Sequence, residues 1–575
     1  MAKVLFYLPF YLFTFLPILL SSCSDFFDQN SDHVTYLEDH DINTPGDTIY
    51  SVTGILNQLQ QLADRTVLLG EARADLVDIT SNANASLKDI ALFNDKIGNP
   101  YNQPRDYYSV INNCNYFITH AKDSLKNNRN QYIFLNEIAA VKAIRAWTFL
   151  QLALNYGEVP FFTEPLVTKE LTDKDYPRKG VKDICDYFIK DLLPYADNDK
   201  VSFPGYGTIK EMDSRLFFFP VNVVLGDLNL WAGNYKDAAR CYYRYIARRN
   251  GANNSYSTGT SSASWNSTAT QWTSLETSTR GWLGQFTDEN YGTSSELITM
   301  IPGNKNSAEG FATDLPRLYG ETGLPSLVPS ESVKELSASQ TYCLQPQSGD
   351  AVYVPHGLEG VLNGDLRLSG STINMGEELR CNKALTVNVH IYRRMMIYAR
   401  LAEAMNAAGY PRFAFAVLSS GVNNTIIERD IIPYYRADST FLREFDFPAS
   451  RYVLATESGN AGENTMGIHS RGCGFTPNNV FYQMPDDETI TDSLQRIAYQ
   501  QHAVEQMLLD EDALEFAFEG TRWYDLMRFA LRASDPSILA DRVYARRSAA
   551  RAAAMRGLIG RDLSDPANWY LQANW

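Results

Sequence analysis

The chain has 575 residues, of which 45% are hydrophobic and 21% are charged. This composition is typical of a globular protein and excludes both a disordered chain and a polytopic membrane protein. With 51 Lys and Arg against 67 Asp and Glu, the net charge is −16, which disfavours nucleic acid as a partner. Aromatic residues make up 12%, more than an aliphatic core requires, so the positions of these rings are informative.

The first residues have the pattern of a secretory signal. An uncharged apolar run from Val4 to Leu20 is short for a membrane span, and two serines then precede Cys23. This arrangement resembles a bacterial lipoprotein processing site. We therefore predict a signal peptide over residues 1–22, lipidation at Cys23 and a polar tether over residues 23–48. In the alternative, a plain secretory peptide, Cys23 has no such role.

Residues 49–250 are predicted to be mainly helical. The clearest helix runs from Glu137 to Tyr156, where apolar residues recur at helical spacing. Gly157 follows it and predicts its end.

Two helix–turn–helix units share one spacing. Helices over residues 221–230 and 398–407 are each followed by a glycine with an alanine five residues later, Gly233 with Ala238 and Gly409 with Ala414. Glycine permits the tight turn, and the small alanine lets two helices approach closely, as in tetratricopeptide repeats. Because the units are scattered, we predict irregular repeat-like helix pairs and no regular solenoid.

Residues 251–390 differ in character and predict a large insertion rich in loops and hairpins. Its first part is rich in Ser, Thr and Asn but carries Trp265 and Trp272, with Trp282 just beyond. A plain linker would not carry tryptophans at this density. Residues 391–575 are predicted to return to helix.

The search for catalytic and metal-binding motifs is negative. The cysteines form no C-x-x-C pair, and neither a Walker loop nor a G-x-S-x-G elbow is present. We expect no histidine three to five residues from another histidine or from a plausible cysteine ligand, and so no zinc spacing. Acidic runs such as Asp486–Glu488 are typical of solvated helix ends. We predict a protein that is not an enzyme, with no catalytic residue, no metal site and no cofactor, and with mostly buried, free cysteines.

The most distinctive segment lies near the end of the chain. Residues 506–529 read as one amphipathic stretch in which Glu515, Glu519, Arg522 and Asp525 are interleaved with apolar residues. Arg522 could capture a ligand. We favour the structural interpretation, in which these acids and arginines satisfy one another within a packed helix.

Within that segment, FEGTRWYDL at residues 518–526 resembles the C-terminal signature of the SusD/RagB-like outer-membrane lipoproteins of Bacteroidota. Residues 107–115, YYSVINNCN, are similar to an early helix of that family, and residues 142–160 resemble its Arg-Ala helix, which ends in Tyr-Gly-x-Val-Pro. With the two repeat units, the resemblance spans nearly the whole mature chain. The tail departs from many members and is closer to the RagB branch.

The resemblance implies a mainly α fold, in which irregular tetratricopeptide-like helix pairs form a scaffold. It further implies a surface-exposed lipoprotein of the outer membrane that captures an oligosaccharide and delivers it to a SusC-like TonB-dependent transporter. Some members handle peptides instead. Two hypotheses from other classes stay open, a surface hydrolase and a helical-repeat scaffold without a small ligand.

Two regions are candidates for the ligand surface. The first is the polar segment before the family's early helix, with Asn82, Asn84 and Tyr101. The second is the loop of Trp265, Trp272 and Trp282. Aromatic faces and amide side chains are the groups that sugar rings and hydroxyls require.

Overall fold

A computed structural model describes residue 42 and residues 44–196, 201–209, 212–247, 265–266, 271–272, 286, 296–344, 352–354, 364–376, 378–383, 385–447, 467–474 and 479–575. The predicted signal peptide over residues 1–22, Cys23, most of the predicted tether and Trp282 lie outside these ranges.

The described part of the chain is mainly helical, as the sequence predicts. The helices are α1 (Pro45–Leu59), α2 (Ala63–Glu71), α3 (Ala85–Ala91), α4 (Pro104–His120), α5 (Leu135–Tyr156), α6 (Lys169–Thr172), α7 (Val181–Leu192), α8 (Val221–Ala232), α9 (Tyr235–Ala247), α10 (Leu315–Leu318), α11 (Glu331–Ser339), α12 (Leu366–Ser371), α13 (Arg394–Ala407), α14 (Pro411–Ser419), α15 (Asn424–Ile426), α16 (Ser439–Leu442), α17 (Ser470–Cys473), α18 (Ser493–Phe516), α19 (Arg522–Ala533), α20 (Ser537–Tyr544) and α21 (Ala552–Leu558). Single turns of 3-10 or π-helix join several of them.

The strands are short and pair two by two. They are β1 (Val77–Ile79), β2 (Val159–Pro160), β3 (Arg178–Lys179), β4 (Thr208–Ile209), β5 (Met212–Asp213), β6 (Trp265–Asn266), β7 (Gln271–Trp272), β8 (Leu297–Ile301), β9 (Leu327–Pro329), β10 (Tyr342–Leu344), β11 (Val352–Val354), β12 (Thr372–Met375), β13 (Glu378–Cys381) and β14 (Val389–Arg393). The antiparallel pairs are β1 with β9, β2 with β3, β4 with β5, β6 with β7, β8 with β14, β10 with β11 and β12 with β13.

The long helices pack in one continuous series. α1 packs on α4, α4 on α5, α5 on α7, and the series continues through α8, α9, α13, α14, α18 and α19, which returns to α2. The predicted helix 137–156 is present as α5, and its Trp147 is buried. A single hydrophobic core follows this series, and it takes up Phe413 and Trp523, part of the aromatic surplus noted in the composition.

Both predicted helix–turn–helix units are present. Gly233, between α8 and α9, has φ +85°, and Gly409, between α13 and α14, has φ +93°. These left-handed conformations end one helix and turn the chain into the next at little cost for glycine. Ala238 and Ala414 are fully buried where the paired helices meet.

The insertion is connected to both helical parts. β8 pairs with β14, with Ile301 opposite Val389, and β1 pairs with β9, with Asp78 opposite Val328. The described residues of the insertion include the hairpins β6–β7, β10–β11 and β12–β13, as predicted, and also α10, α11 and α12. The domain boundaries drawn from the sequence stay predictions.

The prediction of one amphipathic stretch over residues 506–529 is wrong. α18 ends at Phe516 and α19 begins at Arg522, and between them Phe518 and Gly520 have φ values of +72° and +88°. The break lets the backbone of this turn pack directly on α2, because a Cβ on Gly70 would lie 1.7 Å from the Gly520 carbonyl oxygen. The turn, which contains the FEG triplet, is therefore a packing element.

Glu515 at the end of α18 lies at the centre of a buried ionic network. Its carboxylate oxygens lie 2.9 Å from Arg367 Nη1, 2.7 Å from Arg393 Nη1 and 2.8 Å from Arg471 Nη1. Burial alone would raise the pKa of Glu515, but the three guanidinium groups lower it to about 2. These arginines also bind other acids, and we call the set the Glu515 hub: Glu296, Asp365, Arg367, Lys383, Arg393, Arg471, Glu511, Glu515 and Glu519.

Six cysteines fall within the described ranges, and all six are buried and free. The prediction of buried cysteines without a disulfide framework is confirmed for Cys114, Cys185, Cys241, Cys343, Cys381 and Cys473.

We predict that Gly520→Ala destabilises the protein by roughly 2–4 kcal/mol, because a Cβ there would lie 2.3 Å from the Thr66 carbonyl oxygen. Gly233→Ala is the matched control. Its φ is nearly the same, but no described atom lies within 4 Å of the added Cβ, so only the conformational cost of about 1 kcal/mol applies. Urea unfolding measures both losses. Equal losses of unfolding free energy in the two variants would contradict the prediction, because they would show that α2 moves to accommodate the new methyl group without a measurable loss of stability.

We also predict an unusual pH dependence from Glu71 on α2. Burial raises the pKa of Glu71 to about 8, although the Gly520 N–H donates to its Oε1 at 2.7 Å. The folded state therefore keeps a proton that the unfolded state loses above its ordinary pKa of about 4.5, so this group lowers stability as the pH rises from about 4.5 to 8.

Glu71→Gln removes this titration. The variant should gain stability over the wild type between pH 5 and pH 8, on the order of 1–3 kcal/mol by urea unfolding. Glu331→Gln, at an exposed position of α11, is the control and should show no such gain. A difference between wild type and Glu71→Gln that is the same at both pH values would contradict the prediction.

Candidate functional site

Asn82, Asn84 and Tyr101 lie together on the surface, as one of the two predicted ligand regions requires. The Asn84 side-chain amide donates to the Tyr101 hydroxyl at 3.2 Å. Asn82 and Asn84 are exposed, and Tyr101 is half-buried against the core, which leaves part of its ring accessible. The described surface thus presents two amides beside one aromatic ring.

Asn84 also has a structural role. It is the N-cap of α3, where its side-chain oxygen accepts from the Leu87 N–H at 2.8 Å. This bond fixes the side chain with its amide nitrogen towards Tyr101. The cap therefore holds the surface in place before any ligand binds.

The segment that carries Asn82 is anchored to the insertion. The Thr80 hydroxyl donates to the Pro325 carbonyl at 2.6 Å, and the Thr80 N–H donates to the Ser326 carbonyl at 3.0 Å. The Asn82 amide also points to Pro325 O, at 3.5 Å. These contacts continue the β1–β9 pair and hold together two segments that are more than 240 residues apart in the chain.

Because of these contacts, two residues that the sequence analysis did not select belong to the same surface. Leu324, next to Pro325, is 67% exposed. Arg317 on α10 is exposed and donates from Nε to Asp314 at 2.6 Å, and its pKa is raised by Asp314 and, to a smaller extent, by Tyr101. We call Asn82, Asn84, Tyr101, Arg317 and Leu324 the Asn82 surface.

No local sequence signal marks Arg317 or Leu324 as neighbours of Asn82. Their proximity follows from strand pairing between the N-terminal part and the insertion. The Gly323-Leu324-Pro325 run indicates a turn, but it does not indicate the partner of that turn.

The second predicted region is described only in part. Trp265 and Trp272 are Cα partners in the two-residue pair of β6 and β7. Trp282 lies outside the described residues. The ligand role of the three tryptophans stays a prediction.

Arg522, the other ligand candidate, is structural. It is buried, and its Nε lies 2.7 Å from Asp75 Oδ1 and its Nη2 2.9 Å from Asp75 Oδ2. The favoured interpretation of buried, satisfied charges is confirmed, but the partners are remote in sequence. Arg522 does not pair with Asp525, which binds Arg528 at 2.8 Å.

A cleft lies between α5, α8, α13 and α19, away from the predicted ligand residues. Trp231, Gln151 and Tyr524 are among its lining residues. Four of its charged groups bind one another, with Arg400 Nη1 2.7 Å from Asp227 Oδ1 and Arg528 Nη2 2.8 Å from Asp525 Oδ1. We therefore place the candidate ligand surface at the Asn82 surface, where amides and a guanidinium face solvent.

None of the helices in the described ranges is long and apolar enough to span a membrane.

Comparison with known proteins finds one matching family model and several solved structures of similar fold. The family model described as the SusD family matches residues 475–560, which include the FEGTRWYDL segment. A SusD superfamily protein from Bacteroides vulgatus ATCC 8482 has 14% sequence identity, with coverage of 92% of this chain and 96% of its own chain and a TM-score of 0.55. No curated protein matches the chain.

Two further solved structures have a TM-score of 0.50 and 14% identity. A SusD-like carbohydrate-binding protein from Bacteroides fragilis NCTC 9343 is matched over 86% of this chain and 87% of its own. Surface glycan-binding protein A from Bacteroides fluxus is matched over 85% of this chain and 90% of its own. At this identity the likeness establishes the fold. The chain has a mainly α, tetratricopeptide-like scaffold with the fold of these SusD-like structures, and its residues 475–560 match the SusD family model.

We predict that substitutions at Asn84 can separate its structural role, as the N-cap of α3, from its role in ligand binding. Asn84→Ala should cost about 1 kcal/mol of unfolding free energy because α3 loses its N-cap, whereas Asn84→Ser should cost a few tenths because serine caps as well. Asn82→Ala should stay within about 0.5 kcal/mol because that side chain is exposed. Urea unfolding checks all three. A loss for Asn82→Ala as large as that for Asn84→Ala would contradict this assignment.

Proposed function

We propose that the protein is a surface-exposed, lipid-anchored nutrient-binding protein of the outer membrane, which captures an oligosaccharide and delivers it to a SusC-like TonB-dependent transporter. The SusD-like fold over nearly the whole chain supports this proposal. Two proteins of the same fold are described as carbohydrate-binding and glycan-binding. The observation that carries the proposal on this chain is the Asn82 surface.

The chemistry of the Asn82 surface suits a saccharide. A sugar ring can lay its C–H face on the exposed part of Tyr101, while the amides of Asn82 and Asn84 exchange hydrogen bonds with ring hydroxyls. Arg317 uses the N–H of Nε and one N–H of Nη2 on Asp314, and its other three N–H groups can donate to acetal or carbonyl oxygens. With a chain charge of −16, a neutral oligosaccharide is favoured over an anionic one.

Ligand binding is tested with a panel of neutral oligosaccharides, acidic oligosaccharides and short peptides. A true ligand at about 100 times its Kd should stabilise the protein by about 2.7 kcal/mol. Tyr101→Ala should weaken binding at least tenfold, and Asn84→Ser should weaken it while the fold keeps its stability. If a peptide is the only ligand that binds, the proposed delivery to a transporter stands, but the delivered ligand is a peptide and not an oligosaccharide.

The panel also decides between the other classes. Release of new reducing ends or new amino termini would indicate a surface hydrolase. A protein that no member of the panel stabilises would be a scaffold without a small ligand. Wild-type affinity in Tyr101→Ala would move the site away from the Asn82 surface.

The tryptophan loop is the second candidate surface. If it contacts the ligand, simultaneous change of Trp265, Trp272 and Trp282 to Ala should abolish binding of the oligosaccharide found in the panel. Calorimetric titration measures the affinity, and circular dichroism shows whether the fold is kept. Retained affinity would exclude this loop.

Anchoring and partnership need separate tests. Cys23→Ala should release the protein from the outer-membrane fraction, because the acyl chains would have no attachment point. The wild type should co-purify with a large β-barrel transporter after mild detergent extraction. Full membrane retention of Cys23→Ala would contradict the proposed anchor.

A further inference from the structure

Asp365, His469 and Cys473 converge in the interior beside the centre of the Glu515 hub. A carboxylate oxygen, a ring nitrogen and the thiol sulfur of these residues lie within 4.8 Å of one another. All three residues are at most 1% exposed. Asp365 is the N-cap of α12, whereas His469 is the N-cap of the single turn of α17 and Cys473 is its last residue, so two separate segments supply the three groups.

The distance between the thiol sulfur and the carboxylate is close to that of a tetrahedral zinc site. Zinc binds sulfur at about 2.3 Å and nitrogen or oxygen at about 2.0–2.2 Å, so neighbouring ligand atoms lie about 3.4–3.6 Å apart. Cys473 Sγ lies 3.3 Å from Asp365 Oδ2. Gly472 permits this approach, because a Cβ there would lie 2.1 Å from Asp365 Oδ1.

The histidine ring is held in a fixed orientation. Nδ1 of His469 lies 2.8 Å from Glu511 Oε2 on α18, and the ring stacks on Tyr482 with centroids 3.7 Å apart. A carboxylate on one ring nitrogen is the usual outer partner of a metal-bound histidine.

The formal charges of the hub also favour a cation. Its acids are Glu296, Asp365, Glu511, Glu515 and Glu519, and its cations are Lys383, Arg367, Arg393 and Arg471. Five negative groups against four positive groups leave one negative charge in the interior. Binding of Zn²⁺ with loss of the thiol proton adds one positive charge, which makes the buried set neutral.

Arg367 does not block this arrangement. It binds both Asp365 oxygens, with Nη2 2.6 Å from Oδ2 and Nε 3.0 Å from Oδ1. A carboxylate offers about four acceptor positions, so one remains on the side of Cys473. The thiol hydrogen that bridges Sγ and Oδ2 occupies that position, and a metal ion would take its place while the proton leaves to solvent.

We propose that Asp365, His469 and Cys473 form a structural zinc site, with Glu511 as the partner of the histidine. The mixed oxygen, nitrogen and sulfur donors and their burial fit zinc better than calcium or magnesium, which take oxygen ligands. The site would cross-link α12 and α17 beside α18. His469 and Cys473 are four residues apart, so the expectation that no histidine lies three to five residues from a plausible cysteine ligand is wrong.

This inference is independent of glycan binding, so either can fail without the other. The test uses purified protein stripped with a chelator and titrated with Co²⁺ and then Zn²⁺. The wild type should bind one Co²⁺ per chain, with the ultraviolet absorption of a thiolate–cobalt bond, and Zn²⁺ should displace it and raise the melting temperature.

Cys473→Ser should abolish the thiolate–cobalt absorption and weaken zinc binding at least tenfold. Cys185→Ser, which alters another fully buried cysteine on α7, is the control and should keep both. Folded wild-type protein that binds neither metal at one equivalent would overturn the proposal. Absorption that persists in Cys473→Ser would overturn it as well.

Discussion

The buried carboxylate of Glu515 is the constraint on which the rest of the structure depends. Three guanidinium groups converge on it in an interior from which water is excluded, so each charge needs the others. Removing this one acid would leave three buried cations without their shared partner. Because Glu296 and Arg367 come from the insertion and Glu515 from the C-terminal part, the same contacts that satisfy the charges also fix how the two parts pack.

This network explains what the C-terminal signature does. Glu519 binds Arg393 at 2.7 Å, Gly520 touches α2 and Arg522 binds Asp75, so three residues of the FEGTRWYDL segment each contact a different remote part of the chain. These three positions tolerate little change, because each has a remote partner. A match to the signature therefore predicts the scaffold well, but it carries no information about the ligand.

The sequence predicted what is encoded locally. Gly233 and Gly409 marked the two helix pairs because a left-handed turn needs glycine at that position. The break at Phe518 was missed because the surrounding charges continue a helical pattern, and only contact with α2 favours the turn. The same reason hid Arg317 and Leu324, whose proximity to Asn82 depends on β1 pairing with β9 across about 250 residues.

The Asn82 surface depends both on features that are encoded locally in the sequence and on contacts between distant parts of the chain. Asn84 was recognisable as a polar loop residue, and its capping bond is local, whereas its meeting with the insertion is a long-range product of the fold. A rigid scaffold with its charges buried and paired leaves specificity to the loops that it holds at its surface. Ligand preference in this protein should therefore change with residues 80–84 and 317–325 while the Glu515 hub stays the same, because the two sets share no contacting side chain among those described here.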